Sequence, residues 1–476
     1  MKSDDTFFLN PDEALRVAKQ QNKRSRYVLQ VCYYDGERAN FDTERLPNLI
    51  PVSLNNLVDD LALGIHRLPD SISFDGLDLS IKVKKEIVEN FELSIRQAHI
   101  IRGELKKHYL QSIKEARPDF KEPLRFYLQA SAYTQVMQYV SRNIADALEN
   151  MGYEVLFNLN YGTLEDDCHK LLKEFNPHAI ININHMNNSF LGEEVFNFVW
   201  FQDAMPVLTN NEKVIVRNRD YVYSLTRGLK ELVTKKGIAN ELIPFMMNKK
   251  LYKTRDNIKK EKKIVFIGSS YAHRIAQIKD QSGFTQVFEE AVQIFEEKSC
   301  LKGLEHKESD IDYLMKKYEK SQQFIENIAS YLTRDYCVEK LCTIDTDYEI
   351  EIYGWGWENN ETVKPYYKGV VEYGEDISKI YNSATYGYCP GGYVLMQRTL
   401  ECAFSETIPL VLDARADKQD VYDKRIEEAI EFFHINELEN ILSREPQGKK
   451  YDFIKEQYSY EHFVHRCVDI INGCKN

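Results

Sequence analysis

The 476-residue sequence lacks most of the signatures that identify common function classes. No Gly-x-Gly-x-x-Gly run follows a candidate strand, and no Gly-rich loop carries the lysine of a phosphate-binding ATPase loop, which disfavours both nicotinamide enzymes and P-loop ATPases. None of the nine cysteines (Cys32, Cys168, Cys300, Cys337, Cys342, Cys389, Cys402, Cys467, Cys474) forms a Cys-x-x-Cys pair. Cys337 and Cys342 are too far apart for a usual zinc knuckle, so reduced, mostly buried thiols are expected. No apolar run approaches the roughly 20 residues of a membrane helix. The opening Met-Lys-Ser-Asp-Asp has neither the basic stretch nor the apolar core of a secretory signal. Basic charge is also short: the net charge is −12, and a general nucleic-acid binder needs a basic stripe to displace counterions. A cytoplasmic protein with no transmembrane segment and no nucleic-acid partner is therefore expected.

What is present suits a globular protein of several domains. Apolar residues make up 43% of the chain and charged residues 29%, enough for real cores under a charged surface. Residues 1–121 open with a strand-like run, Tyr27 to Tyr34, and continue into a helical pattern from about Val83 to Ile113. There Ile87, Phe91, Ile95, Ala98, Arg102, Leu105 and Tyr109 recur at helical spacing. This region reads as a mainly helical extension: a cap or partner surface that helps select a large partner or mediates self-association, or else a structural brace on the region that follows. From Leu124 the pattern becomes strand–helix–strand: Leu124 to Gln129, Tyr153 to Phe157, Ala179 to Ile183 and Phe196 to Phe201 are strands, with helices between the earlier ones. It restarts after a charge-rich hinge, Lys250 to Lys263. Strands are expected at Lys263 to Ile267, Glu349 to Gly354, Tyr386 to Cys389 and Ile408 to Leu412, with a helical insertion from about Gln281 to Leu341. Such alternation implies right-handed crossovers, parallel sheets and ligand sites at the carboxyl ends of strands. The divisions that follow are 1–121, 122–257, 258–450 with the insertion at 281–341, and a C-terminal helix in 451–476.

The chemistry collects at the strand ends of 258–450. Gly268-Ser269-Ser270 lets backbone approach an anion, with Arg274 adding positive potential. Cys389-Pro390-Gly391-Gly392-Tyr393 leads from a strand through a Gly-Gly turn to a helix start, which aims amides and a dipole at a phosphate. Arg398 and Glu401, three apart, share a helix face: one suits a diphosphate, the other the hydroxyls of a ribose. The same spacing equally suits an intrahelical ion pair worth about 0.3 kcal/mol. Asp345-Thr346-Asp347 precedes its strand rather than following one, so it is not placed at the carboxyl end where a metal-binding Asp-x-Asp would stand. Asp203 and His185, each after a strand of 122–257, are candidates for a general base. Trp355 and Trp357 fit either stacking on a ligand or burial in a core.

These residues carry a resemblance. Ile264 to Arg274, Ile352-Tyr353-Gly354-Trp355-Gly356-Trp357, Gly369-Val370-Val371-Glu372-Tyr373, Ile380 to Ser383, and Arg398 with Glu401 resemble the sugar-transferring domain of the spore-maturation CgeB-like family of GT-B glycosyltransferases. Trp200-Phe201-Gln202-Asp203-Ala204-Met205-Pro206 and Leu242 to Phe245 look like that family's partner domain; together the likeness spans roughly residues 122–475. It implies two facing Rossmann-like lobes and a nucleotide-sugar site formed by Gly268, Ser269, Arg274, Tyr353, Gly354, Trp355, Val371, Gly391, Gly392, Tyr393, Arg398 and Glu401. Within that site the match to Glu401 binds the ribose, and Tyr353 to Trp357 with Gly369 to Tyr373 border the base. It further implies sugar transfer without a bound metal or cofactor, the nucleotide-sugar being a co-substrate and the acceptor a protein or surface glycan. Bulkier Tyr393 to Gln397 replaces the small residues usual before the ribose carboxylate. A sugar-nucleotide epimerase of the same fold and a non-catalytic nucleotide-sugar-binding or coat-type protein stand as alternatives.

Overall fold

The computed structural model describes residues 6–20, 29–33, 49–63, 65–66, 71–131, 135–160, 168–301, 309–415 and 422–474. The protein is mixed α/β with three sheets. Its chain divides into two compact units, Met1–Phe198 with Ile215–Asp220, and Val199–Val214 with Tyr221–Asn476.

The N-terminal region holds more sheet than its sequence suggests. Strands β1 (Thr6–Phe8), β2 (Leu29–Tyr33), β3 (Leu49–Ser53) and β4 (Ser71–Ser73) pair in parallel in the order β3-β2-β1-β4. Strands of three to five residues offer too few alternating positions to register a period of two, which is why the others escaped notice. The expected long helix runs from Ile81 to Lys114, started by the Ser80 hydroxyl accepting from the Val83 amide. Its buried positions, Phe91, Ala98, Arg102, Tyr109 and Ile113, step by seven and four and so keep one face inward.

That face serves two cores in turn. Phe91 and Ala98 pack with Phe7, Val52, Leu57 and Leu61 of the N-terminal sheet region. Ile113 packs with Tyr127, Leu172, Ile180, Leu191 and Val195. The last turn rests on Gly192, where a Cβ would stand 2.8 Å from the Ile113 carbonyl oxygen. The helix therefore joins the N-terminal sheet to the core of the lobe that follows. Each buried Phe or Ile contributes about 1.5–3 kcal/mol.

The second sheet contains β5 (Arg125–Ser131), β6 (Glu154–Asn160), β7 (Ala179–Ile183), β8 (Phe196–Phe201), β9 (Asp220–Ser224) and β10 (Asn240–Leu242), in the order β10-β9-β8-β7-β5-β6. Every residue of β7 and β8 is buried, as expected of strands covered on both faces. Polar side chains in this core bond to one another: Asn197 accepts from Asn182 at 2.9 Å and donates to Asp220 at 3.2 Å.

The third sheet, in the second unit, contains β11 (Glu261–Ile267), β12 (Glu349–Tyr353), β13 (Tyr367–Gly369), β14 (Ala384–Cys389), β15 (Ile408–Leu412) and β16 (Glu431–Phe433). All neighbours are parallel, in the order β13-β12-β11-β14-β15-β16. Counted from β11 this is 3-2-1-4-5-6, the Rossmann order, with the direction of winding reversing between β11 and β14. The insertion between β11 and β12 folds as helices Phe284–Lys298, Asp310–Tyr318, Gln322–Tyr331 and Cys337–Thr343, the last two joined by a π-turn at Leu332–Tyr336. Leu314, Ile325, Ile328 and Leu332 of the insertion recur at helical spacing and are fully buried in the core beneath the sheet.

Candidate functional site

Ligands of open parallel sheets bind at the carboxyl ends of the two strands where the winding reverses. In the third sheet those strands are β11 and β14. They run directly into Gly268–Ser270 and Pro390–Gly392, the two loops the sequence singles out. Backbone contact explains the first loop's glycine partner. Gly354, at the end of β12, has φ +132°, and a Cβ there would stand 2.2 Å from the Gly268 carbonyl oxygen. The Gly268 amide donates to the Tyr353 carbonyl at 2.9 Å, and Ser270 donates to the Trp355 carbonyl at 2.8 Å. Gly354 thus fits the loop by close approach of backbone to backbone.

The amides of this loop are largely committed. Besides Gly268 and Ser270, Tyr271 donates its amide to the Asp335 carboxylate at 2.8 Å, and the Ser270 hydroxyl donates to the same group at 2.6 Å. Asp335 is fully buried, and burial raises its pKa against the lowering effect of those bonds. Positive charge comes from side chains instead. Arg274 stands over the Tyr271 ring at 4.8 Å and donates to the Ser330 hydroxyl at 3.0 Å. Arg334, which the sequence reading passed over, stands over the same ring at 3.9 Å and donates to the Ser269 carbonyl at 3.2 Å.

Beyond β14, Gly391 packs on Met396, and the helix begins at Gln397, several residues after the Gly-Gly turn rather than directly from it. Glu401 on this helix is fully buried. One carboxylate oxygen accepts from Arg398 and the other from the Gln397 amide at 3.0 Å. The ion pair that the spacing allowed is thus formed, with the Arg398 side chain 32% exposed. Burial works against the Arg398 charge, but Glu401, Tyr381 and Tyr252 outweigh it and raise its pKa. Tyr252, from the hinge after the second sheet, is also buried, and its hydroxyl makes no hydrogen bond of ordinary geometry. Burial, then the charge of Glu401, pushes its pKa well above the usual phenol range. Sequence reading missed Tyr252 because a lone aromatic in a charge-rich linker has no periodic context.

The other expected residues separate by exposure. Trp355 is 63% exposed at the end of β12, whereas Trp357 is fully buried, its indole donating to the Gly268 carbonyl at 2.7 Å. Trp357 is therefore core, and Trp355 is the ring available to a ligand. Tyr353 donates its hydroxyl to Glu351 at 2.9 Å, Val371 is half-buried after β13, and Ser269 accepts from the Trp355 amide at 3.4 Å. Gly392 and Tyr393 are exposed. In the first unit, His185 follows β7 and is exposed, and desolvation by its surroundings lowers its pKa from the ordinary 6.5. In the second unit, Asp203 follows β8 and is exposed. Trp200 of the same motif is core, donating to the Ile243 carbonyl at 3.2 Å and stacked 5.5 Å from Phe463. Among the described residues no three His, Cys, Asp or Glu side chains gather as a metal site, and no helix is long and apolar enough to cross a membrane.

The second and third sheets make this a protein of two Rossmann-like sheets. No family model matches the chain, and no curated protein does. Among solved structures it is similar to Anabaena HepE in complex with UDP-glucose, with a TM-score of 0.43 and 9% identity over 74% of this chain and 100% of that one. It is similar to T4 phage BGT in complex with UDP and Mn2+, at a TM-score of 0.36 and 12% identity over 74% of this chain and 95% of that one. A DNA-modifying β-glucosyltransferase, with and without uridine diphosphoglucose, matches at a TM-score of 0.35 and 11% identity over the same shares, 74% and 95%. Likeness of this degree does not extend to the site, and no family match repeats the CgeB-like resemblance.

Proposed function

We propose that the protein is a glycosyltransferase that binds a nucleotide-sugar on the domain of the third sheet and moves the sugar to an acceptor hydroxyl or amide. The observation that carries this reading is the coincidence at the winding reversal: β11 and β14 end side by side and lead into Gly268–Ser270 and Pro390–Gly392, with Arg274, Arg398 and Glu401 on the segments that follow. In this reading Arg274 and Arg398 face the donor diphosphate. Glu401, closed off from solvent in the free chain, accepts from ribose hydroxyls once Arg398 or Gln397 yields one of its two bonds to the arriving donor. Trp355 covers the base. As the sugar–oxygen bond breaks, its electron pair leaves on the diphosphate, where guanidinium groups offset the growing charge without need of a metal. The acceptor atom bonds to the sugar carbon and gives its proton to a base, Asp203 or His185. A protein or surface glycan is the acceptor class we propose.

A thermal-shift screen with UDP, GDP, CDP and their sugars tests the binding step, and release of free nucleotide tests the transfer. Stabilisation by one nucleoside diphosphate, and its release from the sugar donor when acceptor is added, is the expected result. Stabilisation without release under any acceptor condition identifies a binding protein. No stabilisation by any nucleotide refutes the reading.

A further inference from the structure

The second unit carries a positive charge without a matching negative one. Arg334 lies in the π-turn Leu332–Tyr336, where one extra residue per turn breaks the helical ladder; such turns recur at functional sites. Its sequence neighbour Asp335 is committed to the Ser270 hydroxyl and the Tyr271 amide. Among the described residues Arg334 forms no ion pair; its partners are the Ser269 carbonyl and the face of Tyr271. Arg274 is in the same position, bonded to a serine hydroxyl and standing over the same ring. Burial holds Arg334 below the usual arginine range; Tyr271 and Asp335 act the other way, and the smaller effects of Arg398 and Arg274 add to the lowering. Gathering guanidinium groups in a half-buried place is unfavourable until an anion joins them. The committed amides of Gly268, Ser270 and Tyr271 leave the side chains as the main source of positive potential at the end of β11. A planar guanidinium fork matches a phosphate with paired hydrogen bonds.

We infer that Arg334 grips the diphosphate of the donor at the end of β11, with Arg274 beside it, Tyr271 as the ring on which both rest, and Asp335 as the residue that positions the loop. The inference rests on the donor-site reading above and adds to it a residue from the helical insertion. The insertion then has a task in the chemistry: it supplies a cation that meets the negative charge arriving on the leaving diphosphate.

The test measures binding of inorganic pyrophosphate, UDP and uridine by calorimetry to the full chain and to Arg334→Met and Arg334→Lys. Arg334→Met keeps an unbranched apolar stem and removes the guanidinium with its charge. It should weaken pyrophosphate and UDP by about 10–100-fold, the loss expected of hydrogen bonds to a charged group, and leave uridine unchanged. Arg334→Lys should recover part of the loss; if Arg334→Met does not fold, Arg334→Lys alone should still weaken pyrophosphate, since an ammonium lacks the fork. A merely structural role would weaken uridine and the phosphates together, and that result overturns the inference. Equal UDP affinity in wild type and Arg334→Met overturns it while the donor-site reading stands. Pyrophosphate binding that depends on Arg334, with no gain from any nucleoside, upholds the anion site and refutes the nucleotide reading. If wild type binds neither pyrophosphate nor any nucleoside diphosphate, both fall.

Discussion

Replacing Gly354 with alanine should loosen the packing between the ends of β11 and β12 in a measurable way. At φ +132° an alanine is strained, at a cost of about 1–3 kcal/mol. Its Cβ would also stand 2.2 Å from the Gly268 carbonyl oxygen and 2.9 Å from the Ser269 nitrogen, so the loop backbone must move. That carbonyl is the acceptor for the Trp357 indole at 2.7 Å, and losing the bond costs about 1 kcal/mol more. The sum is roughly 2–4 kcal/mol. At roughly 2–4 °C per kcal/mol for a domain of this size, calorimetry should show a melting point lower by about 5–15 °C. Gly369→Ala is the control: φ is +101°, yet nothing lies within 4 Å of its Cβ, so it measures backbone strain without collision. If Gly354→Ala melts no lower than Gly369→Ala, the close approach of the two loops is not what requires glycine, and the account of this end of the site is wrong.

Glu401→Ala should weaken a bound nucleoside diphosphate by about 1–3 kcal/mol, read by calorimetry, because the ribose loses its acceptor; unchanged affinity would remove Glu401 from the site. The same variant leaves the Arg398 guanidinium without its carboxylate, so its melting point should fall as well. If His185 is the base, its lowered pKa leaves it neutral at pH 7, and kcat/KM should decline only as pH falls through a value below 6.5. His185→Gln should abolish that acid limb, and a limb that survives shifts the role to Asp203. Deleting residues 1–121 strips Ile113 from the core around Tyr127 and Ile180, so circular dichroism should show a misfolded or aggregating product; a folded remainder would show that the long helix is not a brace.

The second unit was the more legible part of the chain. Ile408–Leu412 is legible in the sequence with the bounds it has, and β11, β12 and β14 within two residues, because each ends at a turn residue: Asp413, Gly268, Gly354 and Pro390 in turn. Edge strands such as Tyr367–Gly369 and Glu431–Phe433 are three residues long and pair on one side only, which leaves no pattern to read. The loops at the ends of β11 and β14 were legible from their glycines. How those loops spend their amides was not, since that depends on Asp335, far along the sequence. One trace of the π-turn does stand in the sequence: the buried stripe steps by four from Ile328 to Leu332, by five to Cys337 and by four to Leu341, and the extra residue is where Arg334 is turned. Arg398 and Glu401 were legible as a pair, but spacing alone could not show that the carboxylate would be fully buried.

The most direct test of the account is calorimetric titration of the full chain with UDP, GDP and CDP in the presence of excess chelator. The account predicts that at least one of the three binds saturably at a single site, and that Glu401→Ala weakens it. Absence of binding by all three, or binding that returns only when manganese or magnesium is restored, would contradict it.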